Sequence, residues 1–461
     1  VVRVGGGEDD LRYRVTLSSQ ARDRFEQDVI DNGQSDRLHE KTRTRVLNGR
    51  IDYRLSATDE VSAQLGLSAG DWGSGRSSHP IEPSRQDASA QFAQIKFRRT
   101  LNADDEWMAQ AYYSRNNVEA PNFLNTGVGA VDAAIDLLQT RTNLEFQLNR
   151  RVAADWRMSL GAEWRHESAT SARYFNSTAP REGALARGFL NLEWRAHPDW
   201  LIQGGAMLEH HYFTGTDLSP RVAVNYTLAE GHTLRFNLSQ AYRSPTFFEQ
   251  DGNLAYRTTT GILLNQILLP ASASLKPERI LSREIGYVGR QAAWGIQWDI
   301  KLFRDRIDNT LDTDGSPARF ENTGAFQVQG GDIQLSWQPV RDLQFNAQFA
   351  RVMIEGNPDL DEDIPKSAPR NLFSLLARYE LGQGWSASAG VYRSGRMYWL
   401  SDGDVTQAYT RVDARLARRW TWQGHEVEAA LVGQNLGEDY TEFRVQNVFS
   451  QRVYGSLRVG W

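Results

Sequence analysis

Hydrophobic and polar residues alternate along this chain with a period of two, and the alternation recurs from end to end. Trp156, Met158, Leu160, Ala162 and Trp164 interleave with Arg157, Ser159, Gly161, Glu163 and Arg165. The same pattern sets Leu144, Phe146 and Leu148 against Glu145, Gln147 and Asn149, and Leu234, Phe236 and Leu238 against Arg235, Asn237 and Ser239. It returns at Trp294, Ile296, Trp298, Ile300 and Leu302, and again at Leu343, Phe345, Ala347 and Phe349. Period two places successive side chains on opposite faces of a strand, whereas an amphipathic helix repeats every 3.6 residues. About twenty such segments, each of roughly ten residues or more, run along the chain, and no helix is predicted.

The connections between segments alternate in length. Short polar turns fall near residues 57–59, 102–105, 153–154, 197–198, 230–231, 291–292, 340–341, 382–384 and 423–424. Longer links lie between them, at 26–41, 73–85, 121–137, 246–274, 357–369 and 437–450. Trp107, Trp156, Trp194, Trp200, Trp294, Trp337, Trp385, Trp420 and Trp422 all sit close to a short turn. Amphipathic rings collect at a membrane interface, and short turns opposite long loops mark a transmembrane β-barrel. The final segment, QRVYGSLRVGW, fits a closing strand: Val453, Leu457, Val459 and Trp461 share one parity, and Arg452, Tyr454, Ser456 and Arg458 the other. The predicted fold is all-β, a single antiparallel transmembrane β-barrel across residues 1–461.

Composition agrees with that fold and excludes several functions. Hydrophobic residues make up only 40% of the chain, and no window approaches 18 consecutive apolar residues, so helical membrane spans are ruled out. Yet there are 14 Trp, 16 Tyr and 19 Phe, which interfacial girdles explain. The absence of Cys removes disulfides, thiolate metal sites and Cys nucleophiles. A net charge of −5 gives no support for a nucleic-acid partner. The chain opens at Val1 without a basic-plus-apolar leader, as a mature or truncated form would.

Four motifs, in order, resemble the barrel domain of TonB-dependent outer-membrane receptors over essentially the whole chain. Residues 239–248 (SQAYRSPTFF) are similar to the strand end and Arg-(Ser/Ala)-Pro turn near the middle of that barrel. Residues 273–287 (ASLKPERILSREIGY) resemble its Leu-Lys-Pro-Glu segment followed by Glu-x-Gly-Tyr, here Glu284, Gly286 and Tyr287. Residues 321–335 (ENTGAFQVQGGDIQL) resemble its Asn-x-Gly…Gly-acidic strand, with Asp332 where Glu is commoner. Residues 432–440 (VGQNLGEDY) resemble the Asn-Leu…Tyr element before the last strand. These positions also have an architectural meaning. Pro277 removes a ladder donor where pairing begins, and Asn435 marks the exit from a strand.

The resemblance implies a monomeric receptor in the bacterial outer membrane that takes up a scarce solute, a ferric siderophore or related metal chelate, with energy delivered by TonB through a plug. It implies about 22 strands and a plug domain inside the barrel. No plug is visible here: the stretch to Gly5 reads as the tail of a strand and residues 11–25 as the next, so a barrel-only piece of a longer protein is expected. The implied surroundings are outer-membrane lipid and lipopolysaccharide, with no cofactor and no catalytic residue. The rival classes are a passive porin-like channel and a surface adhesin or hydrolase.

Candidate chemistry is sparse. Of the eight His residues, the densest group is Glu209, His210 and His211. Adjacent strand residues face opposite sides, so the two rings cannot chelate one ion. Asp359, Asp361, Glu362 and Asp363 form an acidic run without EF-hand spacing, and Asp402, Gly403 and Asp404 read as a turn. Ligand contact is expected from aromatic and basic residues at the loop ends of strands. Arg243, Phe247, Phe248 and Tyr256 flank the longest loop, and Tyr392, Arg393, Tyr398 and Trp399 flank another. Aromatic faces beside guanidinium groups suit planar anionic ligands.

Overall fold

A computed structural model describes residues 1–23, 29–31, 34–36, 41–74, 84–120, 123–126, 129–356, 363–400 and 404–460. Asp359, Asp361 and Glu362 of the acidic run, Asp402 and Gly403, and Trp461 of the closing strand lie outside them. The wall is a 21-stranded sheet. In chain order it comprises β1 (Val2–Glu8), β2 (Leu11–Arg22), β3 (Thr42–Arg54), β4 (Asp59–Ser74), β5 (Ser84–Thr100), β6 (Glu106–Ala120) and β7 (Ile135–Ala153). There follow β8 (Trp156–Ser171), β9 (Ser177–His197), β10 (Trp200–His211), β11 (Gly215–Ala229), β12 (His232–Arg243), β13 (Glu278–Gln291) and β14 (Ile296–Asp314). The last are β15 (Arg319–Val340), β16 (Leu343–Gly356), β17 (Asn371–Gly382), β18 (Trp385–Ser394), β19 (Tyr409–Trp422), β20 (His425–Gln434) and β21 (Arg452–Gly460). Each pairs antiparallel with the next in sequence, from the β1–β2 hairpin to β20–β21.

Register carries the sequence alternation into two faces. Leu144 stands opposite Ala111 on one side and Trp164 on the other, and Phe146 opposite Ala109 and Ala162. This is the outer face, where Leu144 remains 50% and Leu302 57% exposed. The lumen face carries a ladder of polar contacts between neighbouring strands. Gln94 donates to Gln110 at 2.9 Å, Gln110 to Glu145 at 2.7 Å, and Asn143 to Glu163 at 2.7 Å. The tryptophans form their girdle beside the short turns. Trp156 stacks on Trp194 at 5.2 Å, Trp200 on Tyr226 at 4.3 Å and Trp337 on Phe345 at 5.4 Å. Each such pair contributes about 0.5–1.5 kcal/mol beyond its buried area.

Three features differ from the sequence expectation. Short helices occur in the connections, at Ala172–Phe175 and Phe247–Asp251, because Ser171 and Thr246 cap them. Two connections at the loop end are tight, residues 212–214 and 315–318, so turn lengths do not alternate strictly. Closure is also incomplete. Among the described residues β1 pairs only with β2 and β21 only with β20. Antiparallel neighbours alternate in direction, so the first and last of 21 strands run the same way and cannot pair antiparallel. Val2–Glu8 and Arg452–Gly460 are accordingly exposed along their whole length.

The turn between β17 and β18 shows how tightly the short connections are specified. Gly382, Gln383 and Gly384 all have positive φ, at 82°, 52° and 80°. A Cβ on Gly384 would lie 2.0 Å from the Arg419 carbonyl oxygen, whereas one on Gly382 would meet nothing within 4 Å. Gly384→Ala is therefore expected to destabilise the full-length protein by about 2–4 kcal/mol, and Gly382→Ala by about 1 kcal/mol. Urea unfolding from lipid vesicles measures both; equal losses would contradict the close approach.

Candidate functional site

The loop end of the lumen holds a cavity of about 870 Å³ against the inner face of β6–β10 and the segment after β12. Its wall is built by strand parity. Arg141, Arg165 and Arg187 come from β7, β8 and β9, all on the lumen side, with Glu167 and Glu209 between them. Ion pairs fix these guanidinium groups: Arg141 to Glu167 at 2.7 Å, Arg165 to Glu163 at 2.6 Å, and Arg187 to Glu209 and to Glu163, the latter at 3.4 Å. Such pairs hold the heads of long side chains in place while leaving N–H groups to face the cavity.

Aromatic residues make the other side. Where β10 ends, His211, Tyr212 and Phe213 follow one another, and the rings of His211 and Tyr212 stack at 4.0 Å. Phe247 stacks on Tyr212 at 5.1 Å and meets Phe213 edge-on at 5.7 Å. Phe248 meets Tyr174 edge-on at 5.3 Å and Phe320 at 5.8 Å. His211 is 6% exposed, so it belongs to the packed wall, while its neighbour His210 points the other way and bonds Thr216 at 2.9 Å. No group of three His, Asp or Glu with metal-holding geometry occurs among the described residues. Burial, reinforced by the nearby Glu167 carboxylate, pushes the Tyr212 hydroxyl far above the usual tyrosine range, so the ring stays neutral and its O–H can donate.

One clamp holds the long connection over this cavity. Glu249 accepts from the Thr246 backbone N–H at 2.8 Å, while the Thr246 hydroxyl accepts from the Glu249 N–H at 3.2 Å, a reciprocal capping box. The same carboxylate holds Arg243 at 3.0 Å, and Arg243 also pairs with Glu278 at the start of β13. Both ends of the excursion, residues 244–277, are thereby tied to one guanidinium. Gln250 adds a second tie, donating to the Ala273 carbonyl at 3.2 Å and accepting from the Leu275 N–H at 3.0 Å.

The candidate residues therefore separate. Phe247 and Phe248 line the cavity, and Arg243 reaches its edge but is engaged by two carboxylates. Tyr256 lies outside it beneath Arg173, whose guanidinium is 4.4 Å from the ring centre. In the second group, Tyr392 faces the lumen near Arg411, at 5.8 Å. Arg393 falls on the outer face, opposite Phe373 and Thr410. Tyr398 sits between Lys366 at 5.0 Å and Arg396 at 5.1 Å, and Trp399 bonds Thr406 and meets Phe443 edge-on. The structure brings Phe247 and Phe248 together and sends Tyr392 and Arg393 to opposite sides. Sequence reasoning missed Tyr174 and Tyr212 as lining groups, and Phe213 as the ring packed edge-on against Phe247. For Tyr212 and Phe213 the one signal was the run His211-Tyr212-Phe213 at a strand end; Tyr174 carried none.

The clamp has a defined response to pH. Burial alone would raise the Glu249 carboxyl, but the Arg243 and Thr246 hydrogen bonds outweigh it and hold the group below the ordinary glutamate value of 4.5. A depressed carboxyl contributes stability that is present above its unfolded pKa and lost as pH falls through the folded one. Asp251 has the opposite sign, being raised by burial with Arg181 partly offsetting it, so its cost appears as pH rises. Amide protection factors across residues 247–251 are expected to fall below pH 4.5. Glu249→Gln should remove about 1–3 kcal/mol of local protection at neutral pH. Hydrogen exchange on the full-length protein checks this; unchanged protection would show that the loop is held elsewhere.

The described geometry has close counterparts. A family model for the TonB dependent receptor-like β-barrel matches residues 15–436. The ferric enterobactin receptor PirA of Pseudomonas aeruginosa is 20% identical over 401 residues, covering 76% of this chain and 53% of that protein. The ferrienterobactin receptor of Escherichia coli is 24% identical over 113 residues, 23% of this chain and 15% of the relative. The chain thus spans about half the length of the first of these and a smaller part of the second. Among solved structures, the siderophore receptor PirA from Acinetobacter baumannii superposes with a TM-score of 0.77 at 14% identity, covering 99% of this chain and 76% of that one. A barrel wall of this topology, with the family match running through nearly all of it, settles the classification: the chain belongs to the TonB-dependent receptor-like β-barrel family and is an integral barrel of the outer membrane.

Proposed function

We propose that this chain is the barrel of a receptor that binds a ferric siderophore or related metal chelate outside the cell and passes it to the periplasm, with energy supplied through TonB. The observation that carries the reading is the loop-end cavity. Stacked aromatic rings and ion-paired guanidinium groups face one cavity from its two sides, where a ligand entering from outside meets them first. Planar, anionic chelates match that surface: rings pack on Phe247 and Tyr212, and N–H groups of Arg141 and Arg165 face the negative charge. The residues are those of a binding surface. None of them is a paired acid and base set to break a bond.

The conduit must be filled for such a receptor to be selective, since side chains of a wall this wide cannot fill the lumen themselves. In this reading a plug in the lumen closes the barrel, contacts TonB and moves when work is done on it. The barrel acts as a monomer, surrounded by outer-membrane lipid and lipopolysaccharide.

The test uses the full-length protein in detergent and in cells. A panel of ferric catecholates, ferric hydroxamates and cobalamin is titrated by quenching of intrinsic fluorescence. At least one ferric chelate is expected to bind, and Phe247→Ala or Tyr212→Ala to weaken it by about tenfold, as for an aromatic anchor in a binding pocket. Uptake of the labelled chelate should stop when the proton gradient is collapsed. Binding of none of these, together with a large steady conductance in a planar bilayer, would favour a passive channel and sink the proposal.

A further inference from the structure

On the outer face, β11–β14 form an apolar groove of about 460 Å³ between Val222, Phe236, Leu238, Ile285 and Leu302. Its upper end, toward the long loops, is bounded by Arg283 and Arg304. These two arginines stand directly opposite each other across the β13–β14 ladder, with Arg283 also opposite Leu238 and Arg304 opposite Gln329. Their Cα atoms are therefore about 5 Å apart. Like charges directly opposed on one sheet face destabilise a strand pair. Further along the same face, Arg279 and Arg306 share Asp308, at 2.6 and 2.8 Å. Among the described residues no carboxylate does the same for Arg283 or Arg304, and both are exposed.

We propose that Arg283 and Arg304 bind the phosphate of a phosphorylated glycolipid in the outer leaflet, with one of its acyl chains lying in the groove below. The level is right on geometric grounds. Leu302 is the last apolar residue of the outward row on β14, and Arg304 follows two positions later, toward the loops. Guanidinium groups there sit where hydrocarbon gives way to headgroups, and their stems can reach upward along the wall. Two adjacent forks present parallel N–H donors to phosphate oxygens, and the anion cancels the repulsion between them. The groove supplies what a free anion would not use: 45% of Phe236 and 49% of Leu238 stay exposed beside it. A phosphate alone would leave this surface empty, and a neutral lipid would leave the charges unpaired. The proposal deepens the lipid contact suggested above and is independent of what crosses the lumen, since chelate titration tests one and lipid retention the other.

The experiment is native mass spectrometry of the full-length protein released from nanodiscs. The nanodiscs contain phosphatidylethanolamine with an equal small fraction of bisphosphorylated lipid A or of phosphatidylglycerol. The wild type should retain lipid A preferentially. Arg283→Gln with Arg304→Gln should lower that retention by about tenfold, and Arg283→Lys with Arg304→Lys should keep part of it. Arg85→Gln, at an outward arginine already paired with Asp71 and Asp87, should change nothing. Heat-modified migration in gels verifies that each variant is folded. Retention unaffected by the double Gln variant, equal retention of phosphatidylglycerol, or equal retention of lipid A stripped of phosphate would each overturn the proposal.

Discussion

Hydrocarbon offers no partner to a backbone N–H or C=O, and everything in this barrel follows from that. Each unsatisfied group in the membrane costs several kcal/mol, so a chain this polar can cross only if every crossing segment lies in a hydrogen-bonded ladder with its neighbours. The meander from β1 to β21 meets the requirement with the simplest topology, each strand pairing with the next in sequence. The seam between β1 and β21 is where parity works against it. Both edge strands remain exposed on both faces, and the backbone groups there are the ones still needing partners.

Because pairing fixes register, it also fixes faces. A slip of one residue would turn Leu144 and Trp164 into the lumen and Glu145 and Glu163 into lipid, so the two-sided pattern specifies the ladder strongly. The inner face then becomes a continuous polar network, in which Glu163 serves Asn143, Arg165 and Arg187 together. That network supplies the cavity wall at the loop end without any segment dedicated to it. The outer face follows the same logic up to the headgroup level, where Arg283 and Arg304 follow the apolar row that ends at Ile285 and Leu302.

The loop end depends on fewer interactions and each has more consequence. Arg243 joins the end of β12, the short helix Phe247–Asp251 and the start of β13 through Glu249 and Glu278. The aromatic packing of Phe247 on Tyr212 and of Phe248 on Tyr174 then assembles residues that three separate connections contribute. Arg243 was expected as a ligand contact because of its residue type and position. The structure gives it two carboxylate partners, which tie it to the segment that carries Phe247 and Phe248.

Periodicity by itself determined the strands, their two faces, the short turns and the tryptophan girdle, since those depend on residues one or two apart and on a solvent that is apolar on one side only. Pro277 and Asn435 likewise marked strand boundaries through local backbone constraints, and β13 does begin at Glu278 while β20 ends at Gln434. Which loop residues meet was decided only by the tertiary structure. Tyr174, Tyr212 and Phe247 are far apart in sequence and follow no period, so their contact rests on the curvature of the wall and on capping interactions at Ser171 and Thr246. Tyr392 and Arg393 fall on the other side of that division: adjacent strand residues face opposite ways, so the pleat alone sends one to the lumen and the other to the outer face.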